Sequence, residues 1–394
     1  MDNLIILSLG ILIFGLPFSN SIIEIAATAA IALWFFKKIF IQRSLKVEKT
    51  PLNTPVSLYF LFVLFSLINT KFFITSLIGF GFKAMEHFLL FVVMIDTIRT
   101  KKDFMKIMAF IFISGLLMAA DGLWQYFMHY DFLRHYPIWS SFNRITASFK
   151  FPNGFAGWLV TVLPFFVAIA ILNTKEKLLK LFGALLSILL FICLLLNFTK
   201  GAILAFILVA VFLAWKKGES AKKILLAALT IAVLGIGMMV VLGRGDIILD
   251  YTARGLSVFH RLDLIKMCWR MFLDHPILGH GINTFMSIYE TYASDMQFGG
   301  VSYAHNAYLQ IAVETGALGL LAFLWLITVL FVTSVKNIAR KPEGTIKTAQ
   351  TAVLAGLIGY LAFTTVESTL YSLPLAILFY YFLGLAAALQ NIKD

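Results

Sequence analysis

The sequence predicts an all-α protein that crosses a membrane about twelve times, and three observations lead there. Of its 394 residues, 60% are hydrophobic and only 13% charged, against about 25% charged in a soluble domain. Apolar runs near the length that crosses a hydrocarbon core of about 30 Å recur along the whole chain. Inside lipid the backbone must satisfy its own hydrogen bonds, so such runs form helices.

The spans are expected at about 3–18, 21–37, 54–71, 73–98, 104–128, 154–173, 178–197, 200–215, 223–242, 306–335, 347–365 and 372–391. The first, in "MDNLIILSLGILIFGLPF", lacks the basic flank and small-residue cleavage site of a removed leader and reads as a retained helix. Connections after the even-numbered spans hold most of the 32 Lys and Arg, which predicts that both termini face the cytoplasm. The net charge of +12 is thereby explained by loops on one face of a bilayer, without nucleic acid. Cys193 and Cys268 fall in a span and in an extramembrane helix, and are expected to stay unpaired. No soluble domain or internal repeat interrupts the chain, so 1–394 reads as a single integral membrane domain.

Two segments on the outer side are long, 129–153 and 243–305, and loops of that size without a domain of their own usually carry function. Within the second, which precedes the tenth span, "RLDLIKMCWRMFLD" has the spacing of an amphipathic helix. Arg261 falls in line with Ile265, Cys268 and Phe272, away from Asp263, Lys266 and Arg270. A charge on an apolar face needs a partner. Either the arginine snorkels at the helix end or its planar fork meets a phosphate. In "DHPILGHGINTF", Pro276, Gly279 and Gly281 mark turns. His275 and His280 beside them have no acidic or cysteine cluster to complete a metal site, and no cofactor is expected.

His305 opens the tenth span in "SYAHNAYLQIAVETGALGLLAF", at the outer boundary of the membrane. A histidine there is either an interfacial cap or a base able to work near neutral pH. At 100° per residue Leu309, Ala312, Gly316 and Gly319 share one face of the helix, while Glu314 points the opposite way. Small residues on that face predict the close approach of a neighbouring helix. Lys200, in "LLLNFTKGAILAF", turns between the seventh and eighth spans on the side otherwise poor in cations. Arg144 and Lys150, in "NRITASFKFPNGFAG", join it there. These cations either snorkel at the interface or form a basic site for a lipid-linked phosphate or pyrophosphate. Inside the fourth span Lys83, Glu86 and His87 share a face, as a functional group or as a self-neutralising one.

Taken together, "AHNAYLQIAVETGALGLLAF", "DHPILGHGINTF", "TKGAILAF" and "PNGFAGWLVTVLPF" resemble the core shared by O-antigen ligases and O-antigen polymerases, over about 145–325. The resemblance implies a glycosyltransferase of the bacterial inner membrane, multi-pass, with its active site on the periplasmic side. As a ligase it would move a glycan from undecaprenyl pyrophosphate to a sugar hydroxyl of lipid A–core, with inversion and without a metal. By motif, His305 inherits the action on the acceptor hydroxyl. Arg261 inherits the donor pyrophosphate by motif; the external cations Lys200 and Arg144 are assigned to it too, with Lys83, Asn306 and Glu314 as candidate supporting residues. Lys200 stands where the family usually has arginine, so charge is kept and the bidentate fork is lost. The near alternative is an O-antigen polymerase joining lipid-linked repeat units. The distant one is a polysaccharide or lipid transporter, which calls for repeated halves with helices broken at mid-membrane.

Overall fold

The computed structural model describes residues 1–392 except 141–142, 173–175, 221, 224–225, 227–229, 232, 235–236, 238–250 and 294–302, and for 251–260 it describes the backbone only. Among the described residues the chain is helical, with two isolated antiparallel bridges, Tyr130 to Pro137 and Trp139 to Arg144. The helices are α1 (Asp2–Gly15), α2 (Asn20–Phe36), α3 (Asn53–Phe65), α4 (Phe73–Thr97), α5 (Lys101–Met128), α6 (Pro152–Ile171) and α7 (Lys177–Asn197). They continue with α8 (Lys200–Lys216), α9 (Tyr251–Asp274), α10 (Phe285–Tyr292), α11 (Ala307–Arg340), α12 (Thr345–Phe363) and α13 (Leu373–Asn391).

Seven of these, α4 to α7 and α11 to α13, are long and apolar enough to cross a membrane, and α1 is a shorter apolar helix. The chain is therefore a polytopic membrane protein. The ninth expected span, 223–242, lies largely outside the described residues.

Helices that bury polar backbone against lipid gain little from hydrophobicity between one another, so close packing must hold them. It does so most visibly where α12 crosses α6. A Cβ at Gly356 would stand 2.4 Å from the Thr161 carbonyl oxygen, and one at Gly359 would stand 2.0 Å from that of Val160. Small residues one turn apart thus bring two backbones into contact. Around this pair α13 is buried along nearly its whole length, with Phe379, Tyr381 and Phe382 fully enclosed.

The two ends of the bundle differ in chemistry. At one end Lys37 pairs with Asp2 at 2.6 Å, Lys106 donates to Asn3 Oδ1 at 2.7 Å, and Asn391 donates to the Lys49 carbonyl at 3.1 Å. Both termini therefore share that end with the basic connections. Asp96, fully buried, accepts there from Trp34 at 2.9 Å and pairs with Lys38 at 2.8 Å and Arg99 at 2.7 Å. A buried carboxylate is tolerable only with such partners.

The opposite end carries the 129–151 loop, which α5 holds from below. Asp121 and Gln125, one turn apart and fully buried, do the work. Asp121 accepts from the Phe132 N–H at 2.9 Å and the Ser148 hydroxyl at 2.6 Å. Gln125 accepts from the N–H groups of Thr146 and Ala147 at 2.7 and 2.8 Å. Asp131 closes the tip on the N–H groups of Leu133 and Arg134. The loop is thus a built cap, because its buried backbone groups have fixed partners.

One expectation is corrected. The helix that follows His305 is not uninterrupted: Gly316 has φ +67° and ψ −169° inside α11, a region open essentially to glycine alone. Into the break runs the backbone of Pro276–Gly281. His280 and Gly281 donate to the carbonyls of Val313 and Glu314, both at 2.9 Å, and Ala317 donates to that of Pro276 at 2.8 Å. The neighbour that the small residue admits is therefore a loop backbone, not a helix: a Cβ on Gly316 would lie 2.2 Å from the Ile277 carbonyl oxygen. The two glycine-bearing motifs are the two halves of one interlock.

Candidate active site

The interlock fixes where α11 begins. Asn306 caps it, its side chain accepting from the Leu309 N–H at 3.0 Å, which satisfies one of the orphan donors of the first turn. The Ala307 N–H donates to the Thr364 carbonyl at 3.1 Å, and the Tyr308 hydroxyl to that of Leu361 at 3.1 Å. These bonds strap the start of α11 to the end of α12. His305, just before the cap, sits at φ +48°, uncommon for a residue with a side chain. Its ring is thereby directed at the α12–α13 loop.

There Glu367 Oε1 lies 3.1 Å from His305 Nδ1, and its second oxygen accepts from the Asn153 amide at the start of α6. Burial alone would raise the Glu367 carboxyl, but the hydrogen bond and charge of His305, the Ser368 N–H and Asn153 outweigh it and hold the pKa below the ordinary value. An ionised carboxylate only accepts. Nδ1 therefore carries the proton, and in the neutral ring Nε2 carries the basic lone pair. Because the Glu367 pKa is lowered, this pairing is present above the ordinary carboxylate pKa and is lost only as pH falls through the lowered value.

His305 and Glu367 line a cavity of about 640 Å³ with Arg134, Arg144, Lys150 and Asn153 among its walls. Three cations against one carboxylate in these walls favour an anionic guest. Arg144 is anchored: Nε donates to the Asn197 carbonyl at 2.9 Å and Nη2 to the Thr199 hydroxyl at 2.6 Å. Burial pushes its pKa down to about 10, so it stays charged near neutral pH. Asn197 in turn donates to the carbonyls of Ile145 and Pro152 at 2.8 and 3.0 Å. The turn between α7 and α8 is thus sewn to the 129–151 cap.

Lys200 follows that turn as the exposed first residue of α8. Its neighbour Gly201 would place a Cβ 2.7 Å from Val366, beside Glu367. Lys200 therefore adjoins the cavity without being one of its lining residues. Arg261 is exposed on α9 and lines neither this cavity nor the next. The buried face of α9 is Leu264, Met267, Cys268 and Met271, packed on Phe285, Tyr289 and Val313. Ile265, expected on the same face as Arg261 and Cys268, is 45% exposed.

A second cavity of about 400 Å³ adjoins the first, the two sharing Tyr303, Tyr371 and Ser372. Lys83, His87, Gln310 and Glu314 line it. Glu314 is buried and accepts from the N–H groups of Asn283 and Phe285 at 2.9 and 3.1 Å, so it clamps the loop entering α10. Lys83 donates to Asn283 Oδ1 at 2.8 Å. Glu86, expected beside Lys83 and His87, is not among the lining residues.

The motif histidines have structural partners: His280 Nε2 lies 2.8 Å from the Met271 carbonyl and His275 Nδ1 lies 2.7 Å from the Asn69 amide. Among the described residues no three His, Cys, Asp or Glu side chains gather as a metal would require. Glu367 is the site residue that sequence reading missed. It stands in "TTVESTL", where no spacing or motif ties it to His305.

Fold and site together define a polytopic membrane protein with a cationic, histidine-bearing cavity at the end of the bundle opposite both termini. Residues 185–324 match the family model described as O-Antigen ligase, so that segment is similar to the core of this family. The matched stretch contains Lys200, Arg261, His305 and Glu314, whereas Arg144 and Glu367 lie outside it. No curated protein sequence matches the chain.

Proposed function

We propose that the chain is an O-antigen ligase of the bacterial inner membrane, transferring a glycan from undecaprenyl pyrophosphate to a sugar hydroxyl of lipid A–core. The family core supports O-antigen ligase- or polymerase-type glycosyl transfer in general. The observation that carries the finer reading is the His305–Glu367 pair within a cavity walled by three cations. In the reaction, Nε2 of His305 takes the proton of the acceptor hydroxyl as its oxygen bonds the anomeric carbon. The bond from that carbon to the pyrophosphate oxygen breaks, and the electron pair leaves with the pyrophosphate. Attack in line inverts the anomeric centre. Charge growing on the leaving group is met by Arg144 and Lys150, with Lys200 beside the cavity and Arg261, exposed on α9, assigned to it by motif alone.

The break in α11 does not favour a transporter, because the chain's own backbone fills it. An O-antigen polymerase differs only in the acceptor. Reconstituted protein supplied with lipid-linked glycan, and with either lipid A–core or no added acceptor, separates the two. A product confined to lipid A–core supports the ligase, and elongated lipid-linked glycan without it supports the polymerase. In the same assay a chelator is expected to leave transfer intact. Loss of activity restored by a divalent ion would contradict charge stabilisation by side chains alone.

The cations give a graded expectation. Arg144→Ala should lower transfer about 10²–10³-fold, the range for removing one group that meets developing charge. Arg261→Ala should also lower it, whereas Arg270→Ala on the same helix should be nearly silent. Equal losses at Arg261 and Arg270, measured as transfer rate, would remove Arg261 from the pyrophosphate site. Reporters fused after Gly218 or Gly344 should read cytoplasmic, and those after Gly245 or Gly299 periplasmic. The opposite pattern would put His305 on the wrong side of the membrane.

A further inference from the structure

The smaller cavity holds polar atoms that the protein itself does not satisfy. Gln310 is fully buried, and its amide oxygen lacks a hydrogen-bond partner, while its amide nitrogen faces the Glu314 carboxylate. His87, 8% exposed, likewise has an unpartnered Nε2, while its ring stacks on Tyr380 with centroids 4.8 Å apart. An unpaired buried polar group costs about 1–3 kcal/mol, so two such residues facing one cavity point to a guest that pairs with them. A volume of about 400 Å³ lies within the range of small-molecule sites.

The chemistry of the walls selects the guest. Glu314 in the wall disfavours an anion, and Lys83, bonded to Asn283 at the same wall, disfavours a cation. An alkyl chain would leave Gln310 and His87 unpaired. A hydroxyl both donates and accepts, as the amide of Gln310 and an imidazole nitrogen require, and Tyr59, Tyr371 and Tyr380 offer flat faces to a ring.

We propose that this cavity is a sugar subsite, binding a neutral hexose ring through Gln310 and His87, and that it seats the acceptor sugar. Its role as the acceptor seat rests on the transfer reading above; its binding of a hexose does not. The cations of the larger cavity hold the donor's pyrophosphate, and an in-line attack needs the acceptor on the far side of the anomeric carbon. The smaller cavity shares Tyr303, Tyr371 and Ser372 with the larger and has none of those cations in its walls.

Saturation-transfer NMR on the full chain in lipid nanodiscs, with the methyl glycosides of glucose, galactose and N-acetylglucosamine as probes, tests it without reading transfer. Wild type is expected to saturate at least one glycoside, and Gln310→Leu to lose at least about tenfold in its affinity. Leucine removes the unpaired amide oxygen, and Glu314 keeps the Asn283 and Phe285 N–H groups, so the thermal midpoint of Gln310→Leu should change little. That result would separate a ligand contact from a structural one. Failure of every glycoside to saturate, or equal saturation in Gln310→Leu, overturns the subsite. Saturation by a polyprenol competing with the glycoside overturns it too, in favour of a lipid groove. A wild type that binds glycoside but transfers nothing contradicts the transferase and leaves the sugar subsite standing.

Discussion

Gly316→Ala is expected to remove most of the folded protein from the membrane. The backbone there, at φ +67° and ψ −169°, costs a residue with a side chain about 1–3 kcal/mol before any contact is considered. The added carbon would also stand 2.2 Å from the Ile277 carbonyl oxygen, and backbone on both sides leaves nothing flexible to yield. Relief requires prising Pro276–Leu278 out of the break, with loss of the hydrogen bonds to Pro276, Val313 and Glu314. Gly237→Ala, in open space, is the control and should fold normally. Comparing the yield and thermal midpoint of the two proteins in nanodiscs checks this. Equal midpoints would show that the interlock is not a structural necessity.

His305→Ala should lower the transfer rate about 10²–10⁴-fold, the contribution of a positioned base, while folding is kept. On the proposed mechanism Glu367 acts through His305, as a positioning residue. A hydrogen bond to a charged group is worth about 1.5–3 kcal/mol, or about 10–100-fold in rate. Glu367→Leu should therefore lose activity within that range, and Glu367→Gln, whose amide oxygen still accepts from Nδ1–H, should lose less. With wild type the Glu367 contact stays in place across neutral pH, because its carboxyl is held below the ordinary range. An equal loss in Glu367→Gln and Glu367→Leu would mean that the carboxylate serves something other than the ring.

Much of the fold was legible because membrane helices announce themselves by length and apolarity, and α4 to α7 and α11 to α13 were each anticipated within a few residues. His305, Arg144 and Lys200 were legible as charges or titratable rings where a membrane protein has little reason to place them. Their gathering was not. Arg144 reaches the α7–α8 turn through Asn197 and Thr199, contacts some fifty residues apart that no periodicity encodes. Glu367 was missed for the same reason, since only tertiary packing brings it to His305. Helical phasing failed at Gly316 because it assumes one continuous screw, and the small residues there serve a loop backbone instead. Arg261 was phased with Ile265 and Cys268, but packing on Val313 and Phe285 turned the helix so that Leu264 and Met271 are buried.

The central claim is that His305 accepts a proton at the outer end of the bundle, and one comparison tests it most directly. Donor binding and single-turnover transfer are measured separately, in proteoliposomes, for wild type and His305→Ala. The account predicts that the variant binds lipid-linked glycan as tightly as wild type and turns it over about 10²–10⁴-fold more slowly. Donor affinity that collapses together with turnover would make His305 a pyrophosphate contact and contradict its role as the base. Turnover that survives would make it an interfacial cap of α11.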